Sequence, residues 1–152
     1  SAEFHPRFDV KAKTYEYRIH RAEICPPFER RYLYPYPYPL DEDRIFELAP
    51  MLEGEHDFSA FAASDPEDRS GHSKVRRIFH SFASRRGDIL YYRVTGSGFL
   101  KHMVRNIVGV LLEAGKGNLT RADIERRLQP GCGIPSGPSV PAQGLFLINV
   151  EY

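Results

Sequence analysis

Only two of the 152 residues are cysteine, Cys25 and Cys132, and they lie far apart. Such a pair suits neither a disulfide framework nor a thiolate metal site, and it fits a reducing compartment. No apolar run approaches about 18 residues, so no membrane-spanning helix is expected, and the first residues lack the basic and apolar regions of a signal peptide. The chain therefore reads as soluble and cytoplasmic. Its 21 Lys and Arg against 20 Asp and Glu leave a net charge of +1, which does not announce a polyanion partner. There is no P-loop and no dinucleotide fingerprint, and no serine sits in a nucleophile-elbow context. His56-Asp57 and His72 lack metal-ligand spacing. Asp65, Glu67 and Asp68 fall in a polar stretch that reads as solvated surface rather than a catalytic dyad.

What is present is enough for a core. Apolar residues make up 41% of the sequence, and a chain of this length buries roughly 70% of its unfolded surface, which points to one domain. Basic residues gather locally, in Arg30-Arg31, in Lys74-Val75-Arg76-Arg77 and in Arg85-Arg86, so patches suited to a polyanion exist despite the overall balance.

Residues 8 to 20, FDVKAKTYEYRIH, alternate as a strand, with Lys11, Lys13, Tyr15, Tyr17 and Ile19 on one face. YLYPYPYPL follows, and its alternating prolines favour an extended path that is either a connecting loop or an SH3-type ligand. A helix is expected from Asp41 as cap to near Gly54, with Ile45, Phe46, Leu48, Met51 and Leu52 inward and a break at Pro50. Residues 63 to 73 read as a loop. Strands over 74 to 84 and 88 to 95 form a hairpin through Arg85-Arg86-Gly87-Asp88. A helix spans Phe99 to Ala114 and stops at Gly115; another starts at Thr120 with Asp123 completing a capping box. Residues 130 to 141 read as a loop, and GLFLINVEY as a closing strand. The order predicts an α+β fold, an antiparallel-rich mixed sheet with helices packed on one face.

Two features carry chemistry, each with two readings. In FLKHMVRNIVG, Lys101 and Arg105 stand at the edge of an apolar helix face, with His102 and Asn106 beyond. They are either cations that extend into water or cations held at a cleft and aimed at a phosphate or carboxylate. Tyr15 and Tyr17, with Lys13, either stack a base beside a phosphate contact or belong to the core.

Five strings in sequence order narrow the choice: FHPRFDVKAKTYEYRI, GEHDFSAF, the Val75-Arg76 pair, FLKHMVRNIVGVLLEAG and PAQGLFL. Together they resemble the C-terminal half of the tRNA pseudouridine synthase A family, over about Phe4 to Tyr152. The resemblance implies isomerisation of uridine to pseudouridine in the anticodon stem-loop of tRNA, without cofactor or metal, by a homodimer. It places Tyr15 against the target base, makes Arg105 the ionic partner of a nucleophilic aspartate, and makes Leu145, after Gly144, an apolar wall of the pocket. Lys11, Lys13, Arg76, Lys101 and His102 are the RNA-backbone candidates. The family's aspartate stands in a GRTDAG-like motif that occurs nowhere in these residues, so the chain is expected to be one half of the enzyme and inactive alone. The alternatives are a non-catalytic RNA-binding domain and an interaction domain using the tyrosine-proline segment.

Overall fold

The computed structural model describes residues 10–63 and 73–152. The first residues of the expected opening strand lie outside the described residues, as does most of the 63–73 loop, with Asp65, Glu67, Asp68 and His72.

β1 (Ala12–His20) runs through the centre of a six-stranded sheet. One edge of it pairs antiparallel with β5 (Ile89–Gly96), which pairs with β4 (Val75–Arg86), which pairs with β3 (Gly54–Asp57). The other edge is shared end to end by two strands. β2 (Tyr34–Pro35) adds in parallel at Ile19 and His20, and β6 (Leu145–Glu151) antiparallel from Ala12 to Tyr17. Every ladder except β1/β2 is antiparallel, so the expected sheet is present.

Alternation sorts the two faces. Tyr17 and Ile19 of β1, Leu90, Tyr92 and Val94 of β5 and Ile78 of β4 join one core with Ile45 and Leu48 of α1 (Glu42–Leu48), Ile124 of α3 (Arg121–Arg127) and the apolar side of α2 (Met103–Gly115). Thr14, Glu16 and Arg18 point the other way and meet Thr95, Arg93 and Tyr91 across the ladder. The helices therefore pack on one face, as the fold class predicts.

Helix ends follow their capping chemistry. Asp41 accepts from the backbone N–H of Arg44, and Thr120 and Asp123 complete a reciprocal capping box. Pro50 ends α1 early, and a 3-10 turn over Ala49–Leu52 replaces the expected last turns. Gly54 is not a helix cap but the first residue of β3, a strand too short for its alternation to show.

Two expectations shift. The hairpin turn is only Gly87-Asp88, because Arg86 still pairs with Ile89 and Gly87 takes φ 53°. More consequentially, α2 begins at Met103 and not at Phe99. Residues 99 to 102 form a tight turn in which Met103 N–H donates to the Leu100 carbonyl and Ala63 N–H to the Lys101 carbonyl. His102 sits at φ 61°, a left-handed conformation that a side chain with a Cβ rarely adopts.

The tyrosine-proline segment is occupied internally. Nη1 of Arg21 donates to the carbonyls of Tyr36 and Tyr38, and the rings of Tyr34, Tyr36 and Tyr38 follow one another at 6.0 and 5.2 Å. Tyr34 and Tyr36 pack against the core, while Pro37, Tyr38 and Pro39 are exposed.

Candidate active site

The turn before α2 decides the site. Because the chain doubles back at residues 99 to 102, the Phe99 ring comes down on the Tyr15 ring edge to face, with centroids 5.0 Å apart and planes at 84°. Tyr15, Phe99, Leu100, Lys101, His102, Met103, Val104, Arg105 and Leu145 line a cleft of about 250 Å³. Tyr15 comes from β1, Arg105 from the first turn of α2 and Leu145 from the start of β6. Three remote stretches of sequence thus meet at one point.

Arg105 is positioned rather than free. Its Nε donates to the Val140 carbonyl at 2.8 Å. Among the described residues no other hydrogen bond and no ion pair engages it, and no Asp or Glu side chain lines the cleft. The same loop is held a second time, by the Tyr17 hydroxyl donating to the Pro141 carbonyl at 2.6 Å. Burial pushes the Tyr17 hydroxyl well above the ordinary tyrosine range, and neighbouring Tyr34 adds to the shift while Arg105 opposes it. Tyr17 is therefore a neutral donor and a core residue, whereas Tyr15, half-buried one pleat along, presents its ring to the cleft.

Phe99 also lines a second cavity, of about 640 Å³, with Lys13, Arg76, Ser97, Gly98 and Leu147. Phe99 is the one lining residue common to the two. Their lining side chains include Lys13, Arg76, Lys101, His102 and Arg105 and, among the described residues, no Asp or Glu. Such a surface attracts a polyanion locally despite the balanced total charge. Arg76 crosses beside Gly98, and its Nη1 donates to the carbonyls of Ser73 and Val75 at 2.8 Å.

Two of the residues singled out from sequence stand apart. Lys11 is exposed and lines neither cavity; its backbone N–H donates to the Glu151 carbonyl. Gly144 is buried behind the wall rather than on it. A Cβ there would lie 2.8 Å from the Arg18 carbonyl and 2.9 Å from the Tyr17 ring, so glycine is what lets the Ala142–Gly144 turn sit on β1 and deliver Leu145. Gly96, too, is set by packing: its Cβ would meet Ile78 at 2.9 Å and the Arg77 carbonyl at 3.0 Å.

With this geometry in place, comparison with known proteins becomes specific. The sequence pattern of the tRNA pseudouridine synthase family matches residues 48–152. The chain belongs to that family. It is 58% identical over 153 residues to the tRNA pseudouridine synthase A of Solibacter usitatus, covering 99% of this chain and 60% of that protein. To the enzymes of the same name from Bacillus licheniformis and Geobacillus kaustophilus it is 40% identical, over 99% of this chain and 60% and 57% of theirs. The chain thus spans about 60% of the length of these relatives. Sequence reasoning missed the part of Phe99, which it counted as helix, and of the Val140 carbonyl behind Arg105, which no side-chain pattern encodes.

Proposed function

We propose that the protein to which this chain belongs isomerises uridine to pseudouridine in the anticodon stem-loop of tRNA, and that this chain forms one side of the uridine pocket. The observation that carries the reading is the position of Arg105: fixed by Val140, lining a cleft with Tyr15 and Leu145, and facing no carboxylate from the described residues. An aspartate supplied from outside these residues completes the pair.

The reaction breaks the bond between C1′ of the ribose and N1 of the base, turns the base, and joins C1′ to C5. The C5 proton leaves to solvent and N1 gains one, so atoms balance without oxidant or reductant. A carboxylate nucleophile has to stay ionised where water is excluded, and a guanidinium beside it favours the charged form and orients it. Tyr15 offers an aromatic face to a base taken out of the stack, whose extraction costs a few kcal/mol that stacking offsets. Leu145 and Phe99 keep water from the same point. Lys13, Arg76, Lys101 and His102 in the two cavities, with exposed Lys11 outside them, suit phosphates and fix the RNA's register rather than its sequence.

Family membership supports extending the reading to a homodimer in the cytoplasm, with no cofactor, and to the chain as the C-terminal half of the enzyme, inactive alone. The test is tritium release from tRNA labelled at uridine C5, with the full-length protein and the 152-residue chain side by side. Release by the full-length protein alone is expected. Turnover by the isolated chain removes the need for an external aspartate, and RNA binding without release by the full-length protein favours a purely binding domain. Light scattering on the full-length protein checks the dimer.

A further inference from the structure

On the face of the sheet away from the cleft, the segment after β1 folds back over the strand end. His20 there is 4% exposed and Cys25 3% exposed, and the 3-10 turn over Glu29–Arg31 places Glu29 beside them. A ring nitrogen of His20, Sγ of Cys25 and a carboxylate oxygen of Glu29 all lie within 4.8 Å of one another. Independently, Nδ1 of His20 is buried and has no hydrogen-bond partner. Buried polar atoms are almost always paired, so an orphan of this kind asks for a ligand. Sγ of Cys25 is also poorly served, its one acceptor being the Pro26 carbonyl at 3.9 Å.

We propose that His20, Cys25 and Glu29 bind a divalent transition-metal ion of the zinc class, with a fourth position left to water or to Asp88. The donor set is a neutral imidazole, a thiolate and a carboxylate, which together suit zinc rather than magnesium or calcium. Thiolate and carboxylate offset the two charges of the ion, so the bound site is neutral where it is half-enclosed. Access exists: His20 and Glu29 line a cavity of about 490 Å³ with Phe28, Tyr32, Leu33 and Asp88. The cations nearby are already engaged. Arg18 pairs with Glu16 at 2.7 Å, and Nε of Arg30 donates to the Cys25 carbonyl at 3.2 Å, which fixes the cysteine backbone. Tetrahedral zinc needs its ligand atoms roughly 3.3–3.7 Å apart, so no pair has to close by more than about 1.5 Å, and the exposed Glu29 side chain is free to make its share of that movement.

Sequence spacing hides this site. His-x4-Cys-x3-Glu holds one cysteine, and thiolate-counting rules pass over it. Its position has a consequence for the cleft, resting on the reading of that cleft given above. Nε2 of Gln143 donates to the carbonyls of Arg30 and Leu33, at 3.0 and 2.9 Å, and Gln143 precedes Gly144-Leu145. An ion at Glu29 braces the turn against which the Leu145 wall is set.

The test is titration of the chelator-stripped full-length protein with zinc and with cobalt(II), read as stoichiometry, cobalt absorption and melting temperature. One equivalent is expected, with thiolate-to-cobalt charge-transfer absorption and a raised melting temperature. Cys25→Ser and His20→Asn should abolish both, and Cys132→Ser should change neither. Because His20 is buried and its replacement threatens folding, Glu29→Gln on the surface decides that case, with binding weakened by at least about tenfold in a folded protein. Absence of binding, a cobalt spectrum without charge transfer, unchanged binding in Cys25→Ser or Glu29→Gln, or loss in Cys132→Ser would each overturn the assignment. None of these readouts depends on pseudouridine formation, so this site and the cleft stand or fall separately.

Discussion

Nε of Arg105 donates to the backbone carbonyl of Val140 at 2.8 Å, so the cation of the cleft and the loop leading to Leu145 are held as one unit. α2 supplies the arginine and the segment before β6 supplies the acceptor, across a gap of 35 residues in sequence.

Removing that link has two separable effects. Arg105→Ala in the full-length protein should lower turnover by about a hundredfold or more, because an unpaired nucleophile is both misoriented and harder to ionise. The lost hydrogen bond from a charged group should also lower stability, by about 1.5–3 kcal/mol at most. Arg105→Lys keeps the charge but not the planar fork, and should recover stability better than activity. Tritium release and urea unfolding on the same preparations check both; normal turnover in Arg105→Ala sinks the role given to it.

Tyr15 makes its contacts through the ring, meeting Phe99 edge to face, with no side-chain hydrogen bond from its hydroxyl among the described residues. Tyr15→Phe should therefore leave tRNA affinity nearly unchanged. Tyr15→Leu removes the stacking face and should weaken single-turnover capture of the base by an amount in the range of 1–3 kcal/mol. Filter binding and single-turnover assays separate the two, and a collapse of binding in Tyr15→Phe would give the hydroxyl a part it lacks here.

Much of this was legible before any coordinates, and what was not has a physical cause. Period-2 alternation located β1, and Tyr17 and Ile19 fell on its core face because register follows burial. Capping chemistry located the starts of α1 and α3. The start of α2 was misplaced because Phe99, Leu100, Met103 and Val104 are apolar at helical spacing, while the left-handed His102 that interrupts them carries no sequence signal. Arg105 and Tyr15 stand out in their motifs, and the fold brings both to one cleft. That Phe99 joins them, that Gly144 acts from behind the wall and that a backbone carbonyl steadies the arginine depend on which loops meet, and local pattern is silent on that.

Acid should weaken the fold through two ion-paired carboxylates, Glu16, which is buried, and Glu42, which is half-buried. Burial alone would raise the Glu42 carboxyl, but hydrogen bonds from Arg21 and Arg85 outweigh it and hold it below the usual range; Glu16 is lowered in the same way between Arg18 and Arg93. Each folded value lies below its unfolded value, so the stability they contribute is present above about pH 4.5 and is lost as pH falls below it. Glu42→Gln should flatten the acid limb of a melting-temperature profile and leave its slope above pH 6 alone. An unchanged acid limb would show that these pairs are too well solvated to matter.

Gly109 in α2 is where the helix touches the loop that holds Arg105. A Cβ built there would lie 2.1 Å from the Pro138 carbonyl oxygen and 2.5 Å from its carbon, and backbone cannot swing aside as a flexible side chain does. Gly109→Ala must push the 138–140 segment off the helix, and overpacking of this kind costs about 1–3 kcal/mol. Gly98→Ala is the control: its Cβ would meet Arg76 Cδ at 3.8 Å and Nε at 3.9 Å, ordinary contacts with a flexible side chain, and its stability should stay within about 0.5 kcal/mol. Because Val140 moves with the segment, Gly109→Ala should also reduce turnover by the full-length protein. Equal stability in the two variants, or normal turnover in Gly109→Ala, would mean that α2 and the loop are not coupled through this contact.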